Sequence, residues 1–183
     1  MKGIINVLKP PGMTSHDVIN FLRKLLRLRK IGHSGTLDPA AAGVLPVFVG
    51  KATKAIEFFM EDDKEYIAEI ALGVTTDTGD FEGNVLDVCS KKIIKLEFED
   101  TLKGFVGEIT QIPPMYSAVR YKGKKLYELA RQGITVERRP RKVKIDSLTL
   151  LDYNVETAIV KVICSKGTYI RTLCEDIGSK LGI

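Results

Sequence analysis

The chain has 183 residues, enough for one medium-sized domain with its own hydrophobic core. Lysine and arginine total 28 against 23 acidic residues, and the resulting net charge of +5 favours an anionic partner. Three cysteines, Cys89, Cys164 and Cys174, form no CxxC pair and have no histidine placed to complete a zinc site, which excludes a disulfide framework and a zinc finger. The apolar run at residues 4–8 is too short for a signal or membrane segment, so a cytoplasmic location is expected.

The first predicted elements are a strand and a helix. Residues 3–8 read as a short strand. Thr14 and Asp17, three positions apart, form a capping-box pattern that opens a helix reaching about residue 29. Basic side chains lie off its apolar stripe and toward its C-terminus, where they suit the helix dipole or simply form a solvated face. These are Arg23, Lys24, Arg27 and Lys30.

The rest of the chain alternates irregularly between strand and helix patterns. A buried strand is predicted at residues 45–49, and residues 65–72 alternate with Tyr66 on the apolar face. The later predicted elements are a helix at 93–103, a strand at 106–112, a helix at 126–132 ended by Gly133, a strand pair at 142–153 and 155–164, and a last helix from Thr168. Because crossover helices do not separate the strands regularly, we expect an α+β fold with a mixed, mostly antiparallel central sheet flanked by helices.

One carboxylate, Asp38, stands alone in the glycine-rich segment GHSGTLDPAAAGVL at residues 32–45. Pro39 biases Asp38 toward an extended backbone, and the surrounding glycines allow tight bends and close approach of a ligand. A carboxylate on such a turn is exposed to a ligand and is not buried on a helix face. The alternative is an Asx-turn that precedes a helix starting at Pro39.

This segment resembles motif II of the pseudouridine synthases, and specifically the tRNA pseudouridine synthase B family. Four further blocks resemble that family in the same order: KPPGMTSHDV at residues 9–18, KEYIAEIALGVTTDTGD at 64–80, QIPPMYSAVRYKGKKLYELARQG at 111–133 and SKGTYIRTLCEDIG at 165–178. The resemblance implies a pseudouridine synthase fold. Because the family continues further, residues 1–183 are expected to be an incomplete catalytic domain that lacks the C-terminal RNA-binding domain.

The resemblance also implies the reaction, which is isomerisation of uridine 55 in the T-loop of tRNA to pseudouridine without a metal or organic cofactor. By resemblance Asp38 is the nucleophile, and attack at ribose C1′ and attack at base C6 both stay open. Arg171 in GTYIRT is expected to pair with Asp38 and to keep it ionised at neutral pH. The alternative for Arg171 is an exposed arginine in the first turn of the last helix.

Three more residues take roles from the same resemblance. Tyr66 matches the tyrosine that stacks on the target base, although a strand tyrosine packed in a core gives the same pattern. His33 matches a histidine that inserts into the RNA loop and helps to displace the target nucleotide. Lys9 in KPPG is expected either to support the active-site loop or to bind phosphate, with a structural turn as the third possibility.

A basic block interleaved with tyrosines follows at residues 120–131, a pattern that suits phosphates and unstacked bases. In the family the corresponding insertion closes over the RNA hairpin, so residues 114–141 are predicted to be a mobile RNA clamp, called the clamp segment below. A solvated charged loop is the alternative. The expected RNA-contacting residues here are Arg120, Lys122, Lys124, Lys125, Arg131 and Arg141.

Other functional classes are excluded or ranked lower. Asp77 and Asp80 lack the spaced ligands of a calcium loop and read as turn residues, while Gly50 and Lys51 do not complete a phosphate loop. We expect a monomer that binds the T-arm of tRNA and no membrane. Two alternatives are a non-catalytic RNA-binding or remodelling protein and an RNA-guided synthase of the dyskerin-like group, against which the TTDTGD and SKGTYIRT blocks argue.

Overall fold

The computed structural model describes residues 1–183, which form two compact units, Met1–Asp62 and Asp63–Ile183. The strands are β1 (Gly3–Lys9), β2 (Ile31–His33), β3 (Gly43–Val49), β4 (Lys64–Ala71), β5 (Val74–Thr76), β6 (Val85–Val88), β7 (Gly107–Gln111), β8 (Arg120–Tyr121), β9 (Lys124–Lys125), β10 (Arg141–Tyr153) and β11 (Thr157–Cys164). The helices are α1 (Ser15–Leu26), α2 (Ile56–Phe59), α3 (Lys95–Lys103), α4 (Leu126–Ala130) and α5 (Ile170–Leu181), with a 3-10 helix at Gly50–Ala55. None of these helices has the length and apolar character needed to cross a membrane.

The first unit is a three-stranded antiparallel sheet, ordered β1-β3-β2, with α1 packed on one face. The predicted capping box is confirmed, since the Thr14 side chain accepts from the Asp17 N–H and Asp17 accepts from the Thr14 N–H. The helix ends at Leu26, earlier than predicted, because Arg27 adopts a left-handed conformation with φ of 52° and caps the helix. The alternative of a helix starting at Pro39 is wrong, because Asp38 to Ala41 form a turn in which the Ala41 N–H donates to the Asp38 carbonyl.

The second unit is built on a four-stranded sheet, ordered β4-β11-β10-β7, in which all pairs are antiparallel. Apolar side chains alternate along β11, and those facing the core, from Ala158 to Cys164, are fully buried with α3 and α5 packed against them. The predicted hairpin-like strand pair is confirmed as β10 and β11. The α+β class and the largely antiparallel sheet are therefore confirmed.

The clamp segment connects β7 to β10, and its two ends meet. Gln111, the last residue of β7, is paired with Arg141, the first residue of β10. Between them lie the two-stranded β8-β9 hairpin and α4, which buries Leu126 and Leu129. The hairpin tip uses positive φ at Lys122 and Gly123, as a two-residue hairpin turn requires. The chain therefore leaves and rejoins the sheet at the Gln111–Arg141 pair, which we call the neck of the clamp segment.

Candidate active site

Asp38 lies exposed on a loop whose backbone is held on both sides of it. Before it, the Leu37 N–H donates to Ser15 Oγ at 2.9 Å, and Ser15 Oγ is 3.2 Å from the Leu37 carbonyl. After it, the Pro39 carbonyl accepts from the Gly12 N–H at 2.9 Å and from Lys9 Nζ at 3.1 Å. The carboxylate is therefore exposed on a loop that the start of α1, the last residue of β1 and Gly12 hold in place.

Lys9 is fully buried, which is rare for a lysine. Its ammonium group donates to three carbonyls, those of Pro10 at 2.9 Å, Met13 at 2.7 Å and Pro39 at 3.1 Å. Burial lowers the pKa of Lys9, and the negative charge of Asp38 partly opposes that effect. Because all three N–H groups are used inside the protein, these contacts fit support of the Asp38 loop and do not fit phosphate binding.

His33 ends β2, in the same glycine-rich segment as Asp38. The residue is half-buried, and its Nδ1 atom is buried without a hydrogen-bond partner. Burial lowers the pKa of His33, and a hydrogen bond with the Gly35 backbone partly opposes this shift. The imidazole is therefore neutral at physiological pH, so His33 would enter the RNA loop as an uncharged side chain.

The lowered pKa of His33 predicts a pH dependence of stability. Below the ordinary histidine pKa of about 6.5, the unfolded chain takes up a proton before the folded chain does, so stability falls as the pH falls toward the folded-state pKa. Urea unfolding at pH 7.5 and 5.0 should show a smaller loss for His33→Gln than for the native chain. His16→Gln, at an exposed histidine, removes a charge that also lowers the pKa of His33, so its loss should lie between those of His33→Gln and the native chain. Equal losses in all three would contradict the assignment.

Arg171 lies in the first turn of α5, as predicted, and its side chain is only 16% exposed. The guanidinium donates from Nη1 to the Thr78 carbonyl and from Nη2 to the Tyr116 carbonyl, both at 2.9 Å. Its Nη1 also lies 3.6 Å from Asp80 Oδ2. A planar guanidinium presents donors in several fixed directions, so these acceptors together fix its plane. The alternative of a solvated arginine does not fit these contacts.

The TTDTGD loop supplies two of these partners and is itself ordered by its acidic residues. Asp80 Oδ1 accepts from Thr78 Oγ1 at 2.6 Å, and Asp77 accepts from both the backbone and the side-chain amide of Asn84. The turn role predicted for both residues is confirmed. The contact of Asp80 with Arg171 was missed, because the two residues are far apart in the sequence and share no local pattern.

Glycine is required at one position of this loop. Gly79 has a φ of +71°, and a Cβ atom on it would lie 2.6 Å from Glu175 Oε1 and 3.6 Å from Arg171 Cβ. A residue with a Cβ atom would be strained at this φ and would displace the Glu175 carboxylate. The backbone conformation of this turn therefore favours glycine.

Tyr66 lies on β4 opposite Val162 of β11, partly exposed and packed against the core of the second unit. This position fits both the stacking role and the packing role that the sequence allowed. The base-stacking role of Tyr66 and the ion pair between Asp38 and Arg171 stay predictions.

The predicted RNA-contacting side chains of the clamp segment are mostly exposed. Two cations contact one tyrosine ring, since Lys125 Nζ and the Arg131 guanidinium carbon lie 5.4 and 5.5 Å from the ring centre of Tyr127. Lys122 makes a similar contact with Tyr121 at 5.4 Å. Lys125 is half-buried. The exposed members are Arg120, Lys122, Lys124, Arg131 and Arg141.

A cavity of about 630 Å³ lies within the second unit. Thr78 and Tyr116 contribute to its wall, and Thr172 of α5 lines it with a buried hydroxyl that has no hydrogen-bond partner. Burial raises the pKa of two acidic residues in the wall, Glu175 and Asp176. No group of three histidine, cysteine or acidic side chains is arranged to hold a metal ion.

Comparison with known proteins gives a consistent result. Residues 23–170 match the model of the TruB family pseudouridylate synthases, N-terminal domain. The tRNA pseudouridine synthase B of Alkaliphilus oremlandii is 53% identical over 182 residues, covering 100% of this chain and 61% of that protein. The corresponding protein of Clostridium tetani is 52% identical, covering 100% of this chain and 64% of that protein. This chain thus spans about three fifths of the length of these relatives.

Among solved structures, the chain resembles a protein in the crystal structure of a Cbf5-Nop10-Gar1 complex. The TM-score is 0.76 at 34% identity, and the match covers 99% of this chain and 45% of that chain. A second match, at 31% identity and a TM-score of 0.73, is to a chain in an H/ACA RNP bound to a substrate RNA containing 2′-deoxyuridine.

Proposed function

Because this chain belongs to the TruB family of pseudouridylate synthases, we propose that it isomerises uridine 55 in the T-loop of tRNA to pseudouridine. The observation that carries this proposal is the exposed carboxylate of Asp38 on a loop braced by Lys9, Gly12 and Ser15. A nucleophile needs both access to its substrate and a fixed direction of approach, and this loop supplies both.

The proposed reaction is an isomerisation, so the substrate and the product have the same atoms. Asp38 attacks either C1′ of the ribose, which breaks the N1–C1′ bond and releases uracil, or C6 of the base, after which the N1–C1′ bond breaks. The base then turns and C5 bonds to C1′. The bond to the Asp38 carboxylate breaks, either at C1′ as C5 displaces it or at C6 by elimination, the proton on C5 is lost and N1 gains one. Tyr66 is proposed to stack on the base during this sequence.

Arg171 is proposed as the cation that keeps Asp38 ionised and ready to attack. Its guanidinium already has acceptors at the Thr78 and Tyr116 carbonyls and at Asp80. These contacts fix its position before RNA arrives, which supports a role in preorganised electrostatics. Lys9 is proposed as a positioning residue for the Asp38 loop.

The proposed substrate is the T-arm of tRNA, bound by a monomer in the cytoplasm. Extruding a stacked uridine costs a few kcal/mol, which contacts with the RNA must offset. We propose that His33 acts as the wedge that displaces the nucleotide and that the clamp segment, residues 114–141, binds the phosphates. The exposed cations on the β8-β9 hairpin, and Arg131 directly after α4, support the second assignment.

The direct test is incubation of the chain with an unmodified T-arm hairpin, followed by a pseudouridine-specific readout. We expect conversion at one uridine, without a guide RNA, a metal ion or an organic cofactor. A hairpin with cytidine at the target position is the control. Tight binding without conversion would favour the non-catalytic RNA-binding alternative. Conversion only with a guide RNA would favour the RNA-guided alternative.

The clamp segment predicts a change in salt dependence. The double substitution Lys124→Gln and Lys125→Gln should weaken hairpin binding on the order of tenfold at moderate salt and lower the slope of log K against log salt by about 1.5, because each lost phosphate contact removes part of that slope. Filter binding or anisotropy over a salt series measures both effects.

Lys95→Gln with Lys103→Gln on α3 is the matched control for this pair. It removes the same charge from lysines that already contact Glu99 and Asp100. We expect its salt slope to stay close to that of the native chain. An unchanged slope in the Lys124 and Lys125 variant would remove both residues from the RNA-binding surface.

A further inference from the structure

Gln111 joins two elements that are distant in the sequence. It is the last residue of β7, only 2% exposed, and it pairs with Arg141 across the neck of the clamp segment. Its side-chain amide points to the start of α5. There Oε1 accepts from the Tyr169 N–H at 3.0 Å, and Nε2 donates to the Tyr169 carbonyl at 3.2 Å.

These hydrogen bonds replace the side-chain cap that α5 lacks at its N-terminus. Tyr169 is the N-cap residue of α5 and makes no side-chain capping hydrogen bond of its own. The first N–H groups of a helix have no partner within the helix and need one from elsewhere. Gln111 satisfies the Tyr169 N–H and contacts the Tyr169 carbonyl, which also accepts from the Leu173 N–H. The direction of the first turn of α5 is thereby set from β7.

Arg171 follows Tyr169 by two residues, and its long side chain magnifies any tilt of that first turn. The guanidinium must reach the Thr78 and Tyr116 carbonyls and Asp80 together. Tyr116 lies only a few residues beyond Gln111, in the clamp segment. Gln111, at the end of β7, therefore holds the backbone of Tyr169, just before Arg171. Tyr116, a few residues after Gln111, accepts from the Arg171 guanidinium.

We propose that Gln111 is a positioning residue for pseudouridine formation, which fixes Arg171 and connects it to the neck of the clamp segment. The proposal rests on the function proposed above for this chain. Gln111 does not contact the reacting atoms and acts through the backbone of Tyr169. Its loss should therefore reduce the rate of the chemical step and leave RNA affinity unchanged, because the RNA-contacting side chains of the clamp segment stay in place.

The test compares Gln111→Met with Gln111→Glu. Methionine keeps the approximate length and removes both hydrogen bonds, whereas glutamate keeps the acceptor for the Tyr169 N–H. We expect the single-turnover rate constant of the methionine variant to fall on the order of 10- to 100-fold, with hairpin affinity within about twofold of the native value. The glutamate variant should retain a larger share of the rate.

Phe98→Leu is the control for lost stability. Phe98 is fully buried on α3 in the core of the same unit, and its ring cannot form hydrogen bonds with Tyr169 or Arg171. Assays are run below the melting transitions of all variants. If Gln111→Met slows the reaction no more than Phe98→Leu at a matched loss in melting temperature, or slows it less than twofold, Gln111 is merely structural and the proposal is wrong.

A second measurement does not depend on catalysis. The guanidinium N–H groups of Arg171 can be followed by nitrogen-15 NMR, and their exchange with water reports how firmly they are held. We expect at least about tenfold faster exchange in Gln111→Met and no change in Phe98→Leu. Unchanged exchange in Gln111→Met overturns the proposal even if the native chain forms pseudouridine. An inactive native chain refutes the proposed function, and the exchange rates then decide the role of Gln111 alone.

Discussion

Replacing Asp38 with asparagine should abolish pseudouridine formation, with a rate loss on the order of 10⁴-fold or more. The amide keeps the shape of the side chain but cannot act as an anionic nucleophile, and loss of the nucleophile in a covalent mechanism removes most of the rate enhancement. Binding of the T-arm hairpin should stay within about threefold of the native value, because the substitution removes a negative charge and adds no bulk. Single-turnover assays and anisotropy on the same hairpin measure the two effects.

Asp87→Asn is the control for this substitution. Asp87 is also exposed, lies on β6, and accepts a hydrogen bond from the Val88 N–H. The control should be as active as the native chain. Thermal unfolding should show little change for Asp38→Asn, because substitutions at exposed positions change stability by about 0.5 kcal/mol or less. Normal turnover by Asp38→Asn would refute the assignment of Asp38 as the nucleophile.

Replacing Arg171 with methionine should have the second-largest effect. The variant loses the guanidinium proposed to keep Asp38 ionised, and we expect the rate constant to fall on the order of 10²- to 10³-fold. It also leaves the Thr78 and Tyr116 carbonyls without their donor and Asp80 without its cation. Loss of hydrogen bonds to a charged group costs about 1–3 kcal/mol, so the unfolding free energy should fall by that amount.

Arg171→Lys separates charge from geometry. Lysine restores the positive charge, but its ammonium is a point charge and does not reproduce the planar fork that reaches Thr78, Tyr116 and Asp80. We expect this variant to recover part of the stability and little of the rate. Arg29→Met, at an exposed arginine outside the clamp segment, is the control for lost charge. Full activity in Arg171→Lys would show that charge alone is required.

Much of the fold follows from patterns that are local in the chain. The capping box at Thr14 and Asp17, the alternation along β4 and the apolar stripe of α5 each depend on residues within a turn or two of one another. The helix boundary at Arg27 was less accurate, because the left-handed cap forms at an arginine and not at the glycine that the rules favour. The alternative of a helix after Asp38 is wrong, because the loop is held by tertiary contacts with Lys9, Gly12 and Ser15.

The candidate catalytic residues could be recognised from sequence motifs, whereas the residues that hold them in position could not. Lys9 was open to three interpretations, and its burial and three carbonyl contacts favour support of the Asp38 loop. Asp80 and Gln111 drew attention only as a turn residue and as part of a matched block. Each is positioned by a partner more than 50 residues away, Arg171 for Asp80 and Tyr169 for Gln111.

The sequence by itself determined the family, the α+β class, the order of most strands and helices, and the candidate nucleophile Asp38. These depend on short-range periodicity and on motif chemistry, which the order of residues states directly. Only the tertiary structure decided that Lys9 is buried and donates to three carbonyls, that Arg171 contacts Asp80 and two carbonyls, and that Gln111 bonds to the start of α5. A hydrogen bond to a backbone carbonyl cannot be predicted from the residue type of the acceptor, because every residue carries the same carbonyl group.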